Sequence, residues 1–125
     1  MLEKKVIDQT GTARSLSKIR TASTQFFFIN HSMISYDILI AVIDAELSGK
    51  ELTLKSLFSS LPYSIMGIRL HLNKLISDDW IILEKSKMDA RSKLVKPREK
   101  LRTRFLSLAT QIDGLINVTT KEADV

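Results

Sequence analysis

The chain has 125 residues, of which 44% are hydrophobic and 26% charged, a composition typical of one compact globular domain. It contains no cysteine, which excludes disulfide frameworks, thiolate zinc sites and thiol nucleophiles and favours a reducing, cytoplasmic environment. The net charge is +5. The longest apolar run, residues 38–43, is far shorter than the roughly 20 residues of a membrane span, so we expect no membrane association.

The first part of the chain predicts two helices. One is predicted over residues 13–32, after Gly11 and Thr12 interrupt a mixed, charged beginning. Ser35 is predicted to cap the second, because a serine side chain accepts hydrogen bonds from the free N–H groups of a first helical turn. Its apolar residues recur at three- and four-residue spacing until Gly49 supplies a stop: Ile38, Leu39, Val42, Ile43 and Leu47.

Two further helices are predicted on either side of Pro62. Thr53 has capping chemistry for a short one over 54 to about 61. The helix after Pro62 has one apolar stripe, formed by Ile65, Ile68, Leu72, Leu75 and Ile76. Its opposite side carries Tyr63, Ser64, Gly67, Leu70, His71 and Lys74, with Met66 and Arg69 at the margins. A glycine inside a helix costs roughly 1 kcal/mol relative to alanine, so Gly67 indicates either close approach of a partner or tight packing against a neighbouring helix.

A β-hairpin and a long helix are predicted to complete the chain. The β-prone run 80–83 and a second short strand over 92–95 enclose a basic tip at 88–91. Pro97 is predicted to end the second strand and open a helix over 98–116, which is longer than a small core needs. Its apolar residues follow a heptad seam, made of Leu101, Phe105, Leu108, Ile112 and Leu115.

A partner chain is the expected occupant of this seam, and burial against the first helix of the same chain is the alternative. The single domain is accordingly divided into a dimerisation segment (1–34), a core (35–96), a dimerisation helix (97–116) and a loose tail (117–125).

The positive charge is concentrated in one part of the sequence. Residues 69–104 hold 11 basic and five acidic side chains, a net charge of +6, whereas the rest of the chain nets −1. Such asymmetry is typical of a surface that meets phosphates, although a solvated, solubilising face would have the same composition.

The order of elements and the hairpin resemble the MarR family of dimeric DNA-binding regulators, from about residue 36 to 115. The most specific part is Asp89-Ala90-Arg91, followed by the alternating Lys93 and Val95, where the family has an Asp-x-Arg step in its wing. Residues 63–75 occupy the place of the family's recognition helix. The sequence departs from the family pattern at three positions: Asp79 replaces a usual glycine, Lys93 an arginine, and Arg98 a capping threonine.

The resemblance implies a mainly α (α+β) fold, a winged helix-turn-helix with a two-stranded β-wing and long terminal helices that form a dimer interface. It implies a sequence-specific regulator that binds double-stranded DNA as a homodimer, with residues 63–77 in the major groove and the wing, 84–95, on the minor groove. The expected DNA-binding residues are Ser64, Gly67, Arg69, His71, Lys74, Lys85, Lys87, Asp89, Arg91 and Lys93, and the expected dimerisation residues are Leu101, Phe105, Leu108, Ile112 and Leu115.

Within this set the predicted roles differ. Arg69 is predicted to read guanine or hold a phosphate, and Arg91 to enter a narrow minor groove with its guanidinium oriented by Asp89. His71 is either a DNA contact or a half-buried histidine. The lysines of the wing are predicted to add affinity without sequence discrimination.

Other functions are weighed against this one. An enzyme is not expected, because the chain has two histidines, no glycine-rich phosphate loop and no metal-ligand spacing, and no cofactor is implied. A winged-helix module that binds another protein, or a plasmid or phage replication or partition factor, stays open as an alternative. The aromatic residues Phe26, Phe27, Phe28 and Tyr36 are candidates to line a site for a small-molecule effector of unknown identity, and core packing is the simpler explanation for them.

Overall fold

A computed structural model describes residues 9–27 and 32–123, with side chains over 9–25 and 32–115. Five helices and one two-stranded sheet follow in the predicted order. Their bounds are α1 Gln9–Phe27, α2 Met33–Leu47, α3 Leu54–Ser60, α4 Ile65–Ser77, β1 Ile81–Lys85, β2 Lys93–Pro97 and α5 Glu99–Ala123. The predicted α+β winged helix-turn-helix is therefore confirmed.

The helix starts confirm one predicted cap and correct another. The Thr53 side chain accepts from the Ser56 amide and caps α3, as predicted. The cap of α2 is Ser32, whose side chain accepts from the amide of Ser35, so Ser35 lies in the first turn. Two serines three residues apart have the same capping chemistry, and burial of the second decides between them. The predicted domain boundary at 34/35 consequently falls inside α2.

The first helix differs from its prediction at its beginning. It starts at Gln9, so Gly11 and Thr12 lie within it and do not precede it. The predicted end, at residues 28–32, mostly lies outside the described residues.

Two helices end through the same backbone arrangement. At the end of α2, Gly49 has φ 68° and its amide donates to the Glu46 carbonyl, while the Lys50 amide reaches back to Ala45. At the end of α4, Asp79 has φ 63° and its amide donates to the Ile76 carbonyl, while the Trp80 amide donates to the Leu75 carbonyl. Both helix ends are Schellman motifs, which need one residue in the left-handed backbone conformation. Glycine adopts this conformation at little cost, whereas aspartate is strained in it.

Helix α2 lies at the centre of the core. It packs against α4, β2 and α5, and Ile38, Leu39, Val42 and Ile43 are buried along it. Leu47, the last member of the predicted stripe, is exposed at the helix end. The buried residues of the other elements complete one core cluster: Ala22, Leu57, Ile68, Leu72, Leu75, Trp80, Ile81, Val95, Leu101 and Leu108.

The wing is an antiparallel hairpin that is anchored to the turn before α3. In its register Ile81 lies opposite Pro97 and Lys85 opposite Lys93. The second strand is shifted by one to two residues relative to the predicted 92–95, and Pro97 lies inside it, at the end where the missing N–H is tolerated. An isolated bridge between Thr53 and Leu94 ties β2 to the helix-turn-helix. The wing is thereby held beside α3.

The terminal helices α1 and α5 pack against each other within the chain. Leu101 and Leu108 of the seam are buried in the core cluster of the same chain, so these two residues are covered without a partner chain. Helix α5 extends to Ala123, whereas the sequence predicted its end at residue 116 and a loose tail over 117–125. Within the described part of the chain, no helix combines the length and apolar character needed to cross a membrane.

An ion pair joins the end of α2 to the start of α5. The Arg102 guanidinium donates to both carboxylate oxygens of Glu46, at distances of 2.7 to 3.1 Å. These hydrogen bonds, together with the positive charge of Arg102, lower the pKa of the Glu46 carboxyl. Arg102, one of the basic residues of the 69–104 stretch, is therefore committed to a contact within the chain.

Candidate nucleic-acid interface

Helix α4 buries one side and exposes the other. Ile68, Leu72 and Leu75 are buried against the core, as the apolar stripe predicted. Ile65, the first member of that stripe, is exposed. The most outward positions, spaced four and three residues apart, are Met66, Leu70 and Asn73, and all three are exposed. We call these three residues the outer face of α4.

The start of α4 is built by Ser64. Its side chain accepts from the Gly67 amide at 3.0 Å, so this predicted DNA-binding hydroxyl serves as the helix cap. A Cβ at Gly67 would lie 3.1 Å from Ser64 Oγ and 3.7 Å from Ile34 Cδ1 of α2. The tight neighbours of Gly67 are thus its own cap and α2, which supports the helix-packing explanation for this glycine.

His71 lies on the same flank as Gly67 and not on the outer face. Its Nδ1 is 3.2 Å from the Ser35 hydroxyl and 3.3 Å from the Ser32 hydroxyl. The structure supports the half-buried alternative for this histidine, which lies against the start of α2. These two contacts occupy Nδ1 only, so a contact of His71 with DNA would have to use Nε2.

Arg69 extends along the other flank of α4 toward α3. Its guanidinium lies 5.1 Å from the centre of the Phe58 ring, a cation–π distance. Among the described residues, Arg69 forms no ion pair. The ring holds the guanidinium between α3 and α4 while leaving its N–H groups free to meet another partner.

Tyr63, just before α4, is tied to α2 by a short hydrogen bond. Its hydroxyl donates to Asp37 Oδ2 at 2.5 Å. This hydrogen bond, together with partial burial and the charge of the carboxylate, raises the pKa of the Tyr63 hydroxyl. The contact fixes the turn between α3 and α4 relative to α2, and so it helps to set the angle at which α4 is presented.

The tip of the wing is organised by Ser86 and Asp89. Ser86 Oγ accepts from the amides of Met88 and Asp89 at 3.2 and 3.3 Å. The Asp89 carboxylate accepts from the Arg91 amide at 3.0 Å and from the Ser92 hydroxyl at 3.2 Å. The predicted pairing of Asp89 with the Arg91 guanidinium is therefore corrected: the carboxylate holds the backbone of the turn. Among the described residues, the Arg91 guanidinium has no ion-pair partner.

A basic groove lies between α3 and the wing. It is lined by Thr53, Leu54, Lys55, Phe58, Arg91, Ser92 and Lys93, with three cations and no acidic side chain. Phe58, under the Arg69 guanidinium, connects this groove to α4. Of the predicted DNA-binding residues, the structure thus brings Arg69, Arg91 and Lys93 to one region.

The remaining predicted lysines lie exposed on α4 and the wing. Lys74 is in the last turn of α4, where a cation also favours the helix dipole. Lys85 lies directly opposite Lys93 in the ladder, and like charges in this position destabilise a hairpin. Lys87 follows in the turn. An anionic partner bound at this position would neutralise the repulsion between the two lysines.

Other cations of the basic stretch are used within the chain. Lys96 pairs with Glu84 at 3.3 Å, and Lys100 donates to the Asp78 carbonyl at 2.8 Å while lying over the Trp80 ring. These contacts join the wing strands to each other and the end of α4 to α5. The concentration of positive charge in sequence therefore overstates the charge that is available on the surface.

The residues selected from sequence do not include Lys55, which lines the basic groove, or Asn73, which lies on the outer face of α4. Lys55 joins the groove only because the wing folds back over α3, which no local pattern indicates. A signal for both was present: residues 52–77 contain no aspartate or glutamate, and Asn73 lies three residues after Leu70 on the outward line of α4.

A second cleft lies between α1 and α2, with a volume of about 260 Å³ and with Leu16, Ile19, Met33 and Tyr36 in its lining. Of the aromatic residues predicted to line an effector site, Tyr36 is present there, and the side chains of Phe26, Phe27 and Phe28 lie outside the described residues. The volume is slightly below that of pockets for drug-sized ligands, and an effector stays a prediction. No cluster suited to a metal ion occurs in the described part of the chain.

The chain is similar in structure to known transcriptional regulators. It matches the transcriptional regulator Tm0710 from Thermotoga maritima with a TM-score of 0.64 and 12% identity, covering 91% of this chain and 81% of that one. MepR of S. aureus, solved as a DNA complex, matches with a TM-score of 0.62 and 14% identity over 90% of both chains. Apo MarR from E. coli matches with a TM-score of 0.58 and 14% identity, over 95% of this chain and 87% of that one.

Sequence comparison adds nothing to this likeness: no family model matches the chain, and neither does any curated protein. At such low identity the structural likeness concerns the fold, and the function has to be argued from the site. The chain has the winged helix-turn-helix fold of MarR-like transcriptional regulators.

Proposed function

We propose that the protein is a homodimeric transcriptional regulator that binds double-stranded DNA sequence-specifically, with α4 in the major groove and the wing on the minor groove. The observation that carries the proposal is the basic groove, where Lys55, Arg91 and Lys93 meet without an acidic side chain beside an exposed helix. Phosphates are the partner that such a surface fits, because they neutralise cations that otherwise repel each other.

The position of the groove supports a DNA duplex in particular. An α-helix fits the major groove, which is about 12 Å wide, and a hairpin beside it then meets the neighbouring backbone and minor groove. The residues of α4 and of the wing are held at a fixed separation by the Thr53–Leu94 bridge and by the Tyr63–Asp37 hydrogen bond. MepR and reduced AbfR, which share the fold, have been solved bound to DNA.

In this proposal Arg91 is the principal wing contact. Its amide is held by Asp89, so the turn is fixed while the guanidinium is left to reach DNA. Arg69 and Lys74 flank the outer face of α4 and contact phosphates or base edges. Lys55, Lys85, Lys87 and Lys93 supply affinity through release of counterions and do not discriminate between sequences.

The test is a salt series of fluorescence anisotropy titrations on a labelled duplex, with the unsubstituted protein, Arg91→Ala and Arg14→Ala. Arg14 is an exposed arginine of α1 and does not line the groove. Its substitution by alanine removes the same charge as Arg91→Ala. We expect the logarithm of the association constant to fall linearly with the logarithm of the salt concentration. Arg91→Ala is expected to make this slope less steep by about one for each Arg91 that contacts DNA.

Arg14→Ala is expected to leave both the slope and the affinity nearly unchanged. An equal effect of the two variants would mean that only net charge matters and would contradict the wing contact. Absence of binding at low salt would contradict DNA binding itself and favour a protein partner for this surface.

A further inference from the structure

The outer face of α4 is largely apolar, although it is the most exposed line of the helix. Met66 is 83% exposed and Leu70 is 57% exposed, and they are adjacent on the helix surface. Single exposed apolar residues are ordinary, whereas two neighbouring ones on the outward side of a helix form a candidate contact surface. Asn73 continues the same line one turn further along.

The surroundings of this face are positively charged. Arg69 and Lys74 are exposed on either side of it, and the whole stretch 52–77 has no acidic residue. A partner that fits must therefore be anionic at its rim and apolar at its middle. The major groove of DNA has this arrangement wherever thymine is present, because the C5-methyl groups lie between two rows of phosphates.

From this we infer that α4 reads A·T base pairs, with Met66 and Leu70 in contact with thymine methyl groups and Asn73 bonded to the edge of adenine. An asparagine side chain donates to adenine N7 and accepts from its N6 amino group, whereas apolar side chains discriminate thymine through its methyl. The inference rests on the proposed function and specifies its target: a half-site with A·T pairs under the outer face of α4.

The experiment begins with selection of duplexes from a pool with a randomised core. The enriched duplex is then made in two forms, one with thymine and one with deoxyuridine at every thymine, which removes only the methyl groups. Affinities of both forms are measured by anisotropy for the unsubstituted protein, for the double variant Met66→Ala/Leu70→Ala and for Leu47→Ala. Leu47 is a leucine at the end of α2 whose exposure, 68%, lies between those of Leu70 and Met66, and it serves as the control.

We expect the selected half-sites to contain A·T pairs and the thymine form to bind about threefold more tightly for each methyl group contacted. The double variant is expected to bind both forms equally, while Leu47→Ala keeps the preference. Because uracil also changes the stiffness of a duplex, loss of the preference in the double variant is the decisive result. Thermal unfolding checks that the variants remain folded.

The failures of the two proposals are distinguishable. Enrichment of half-sites without A·T pairs, or equal binding of the two forms by the unsubstituted protein, would overturn the inference while leaving DNA binding established. If the double variant still preferred the thymine form, the preference would come from the properties of the duplex and not from Met66 and Leu70, and the inference would be overturned as well. No enrichment and no salt-dependent binding would overturn the proposed function.

Discussion

Asp79 ends α4 in a conformation that its side chain disfavours. Its φ is 63°, and the chain needs this value so that the amides of Asp79 and Trp80 reach the carbonyls of Ile76 and Leu75. A residue with a Cβ is strained in the left-handed region, and a carboxylate at a helix C-terminus also opposes the helix dipole.

We expect Asp79→Gly to raise the free energy of unfolding by about 1 kcal/mol, because glycine adopts the left-handed conformation without the steric cost. Urea denaturation measures the change. Asp78→Gly is the control: Asp78 has φ −89°, so glycine there should give no comparable gain. A gain of equal size at both positions would assign the effect to charge and not to backbone strain.

Several functional assignments to single residues depended on contacts that sequence does not contain. Asp89 and Arg91 are close along the chain, and the structure differs from the prediction only in which atoms of Arg91 the carboxylate meets. His71 is different, because its two serine neighbours are on another helix. Helical spacing placed His71 away from the apolar stripe, and only the packing of α4 on α2 decides that this flank is covered.

The hairpin is the element in which stability and the proposed function oppose each other. Lys85 and Lys93 are direct cross-strand partners, and both are exposed. We expect Lys85→Glu to stabilise the protein by about 0.5 kcal/mol, because it replaces a like-charge pair with an opposite-charge pair. The same substitution is expected to weaken DNA binding severalfold, since it places a carboxylate near phosphates.

Lys87→Glu is the matched control for this opposition. Lys87 lies in the turn, outside the ladder, so its substitution should weaken DNA binding without raising the urea midpoint. Denaturation and anisotropy on both variants separate the two effects. If Lys85→Glu left the stability unchanged, the cross-strand repulsion would be negligible and would no longer indicate an anionic partner.

At the level of elements, sequence was most informative where a local signal has one interpretation. Thr53 and Gly49 mark the start of α3 and the end of α2 because threonine caps and left-handed glycines act within one turn. The predicted start of α2 was wrong because Ser32 and Ser35 have the same capping chemistry in the local sequence. The ends of β2 differ from the predicted ones because the length of a strand depends on its pairing with β1, and the sequence of β2 alone does not contain that information.

For the whole molecule, the order of elements and the winged fold were predictable, whereas the basic groove was not. Periodicity identifies each helix separately, and the hairpin follows from a short β-prone run with a turn. Lys55 and Arg91 line one groove because the bridge between Thr53 and Leu94, residues about 40 positions apart, holds the wing beside α3. The charged stretch 69–104 therefore omits Lys55, which lines the basic groove, and includes Lys96, Lys100 and Arg102, which have partners within the chain.

The proposed homodimer can use only part of the heptad seam on α5. Leu101 and Leu108 have no exposed surface left, because they pack inside the chain, whereas Phe105, Ile112 and Leu115 are half-buried. A second copy must therefore cover the outer half of the seam, toward the end of α5. This position suits a two-fold arrangement in which the terminal helices pair and the two α4 helices meet successive turns of DNA.

We expect sedimentation velocity to show a dimer for the unsubstituted protein and a folded monomer for Ile112→Arg, because a charge at a half-exposed position disrupts association more than folding. Affinity for a two-half-site duplex should fall at least about 100-fold in this variant, since each subunit then binds alone. Leu108→Arg is the contrasting control: it buries an unpaired charge and should abolish the helical circular dichroism signal. A monomeric unsubstituted protein would contradict the homodimer, and a dimer that survives Ile112→Arg would place the interface elsewhere.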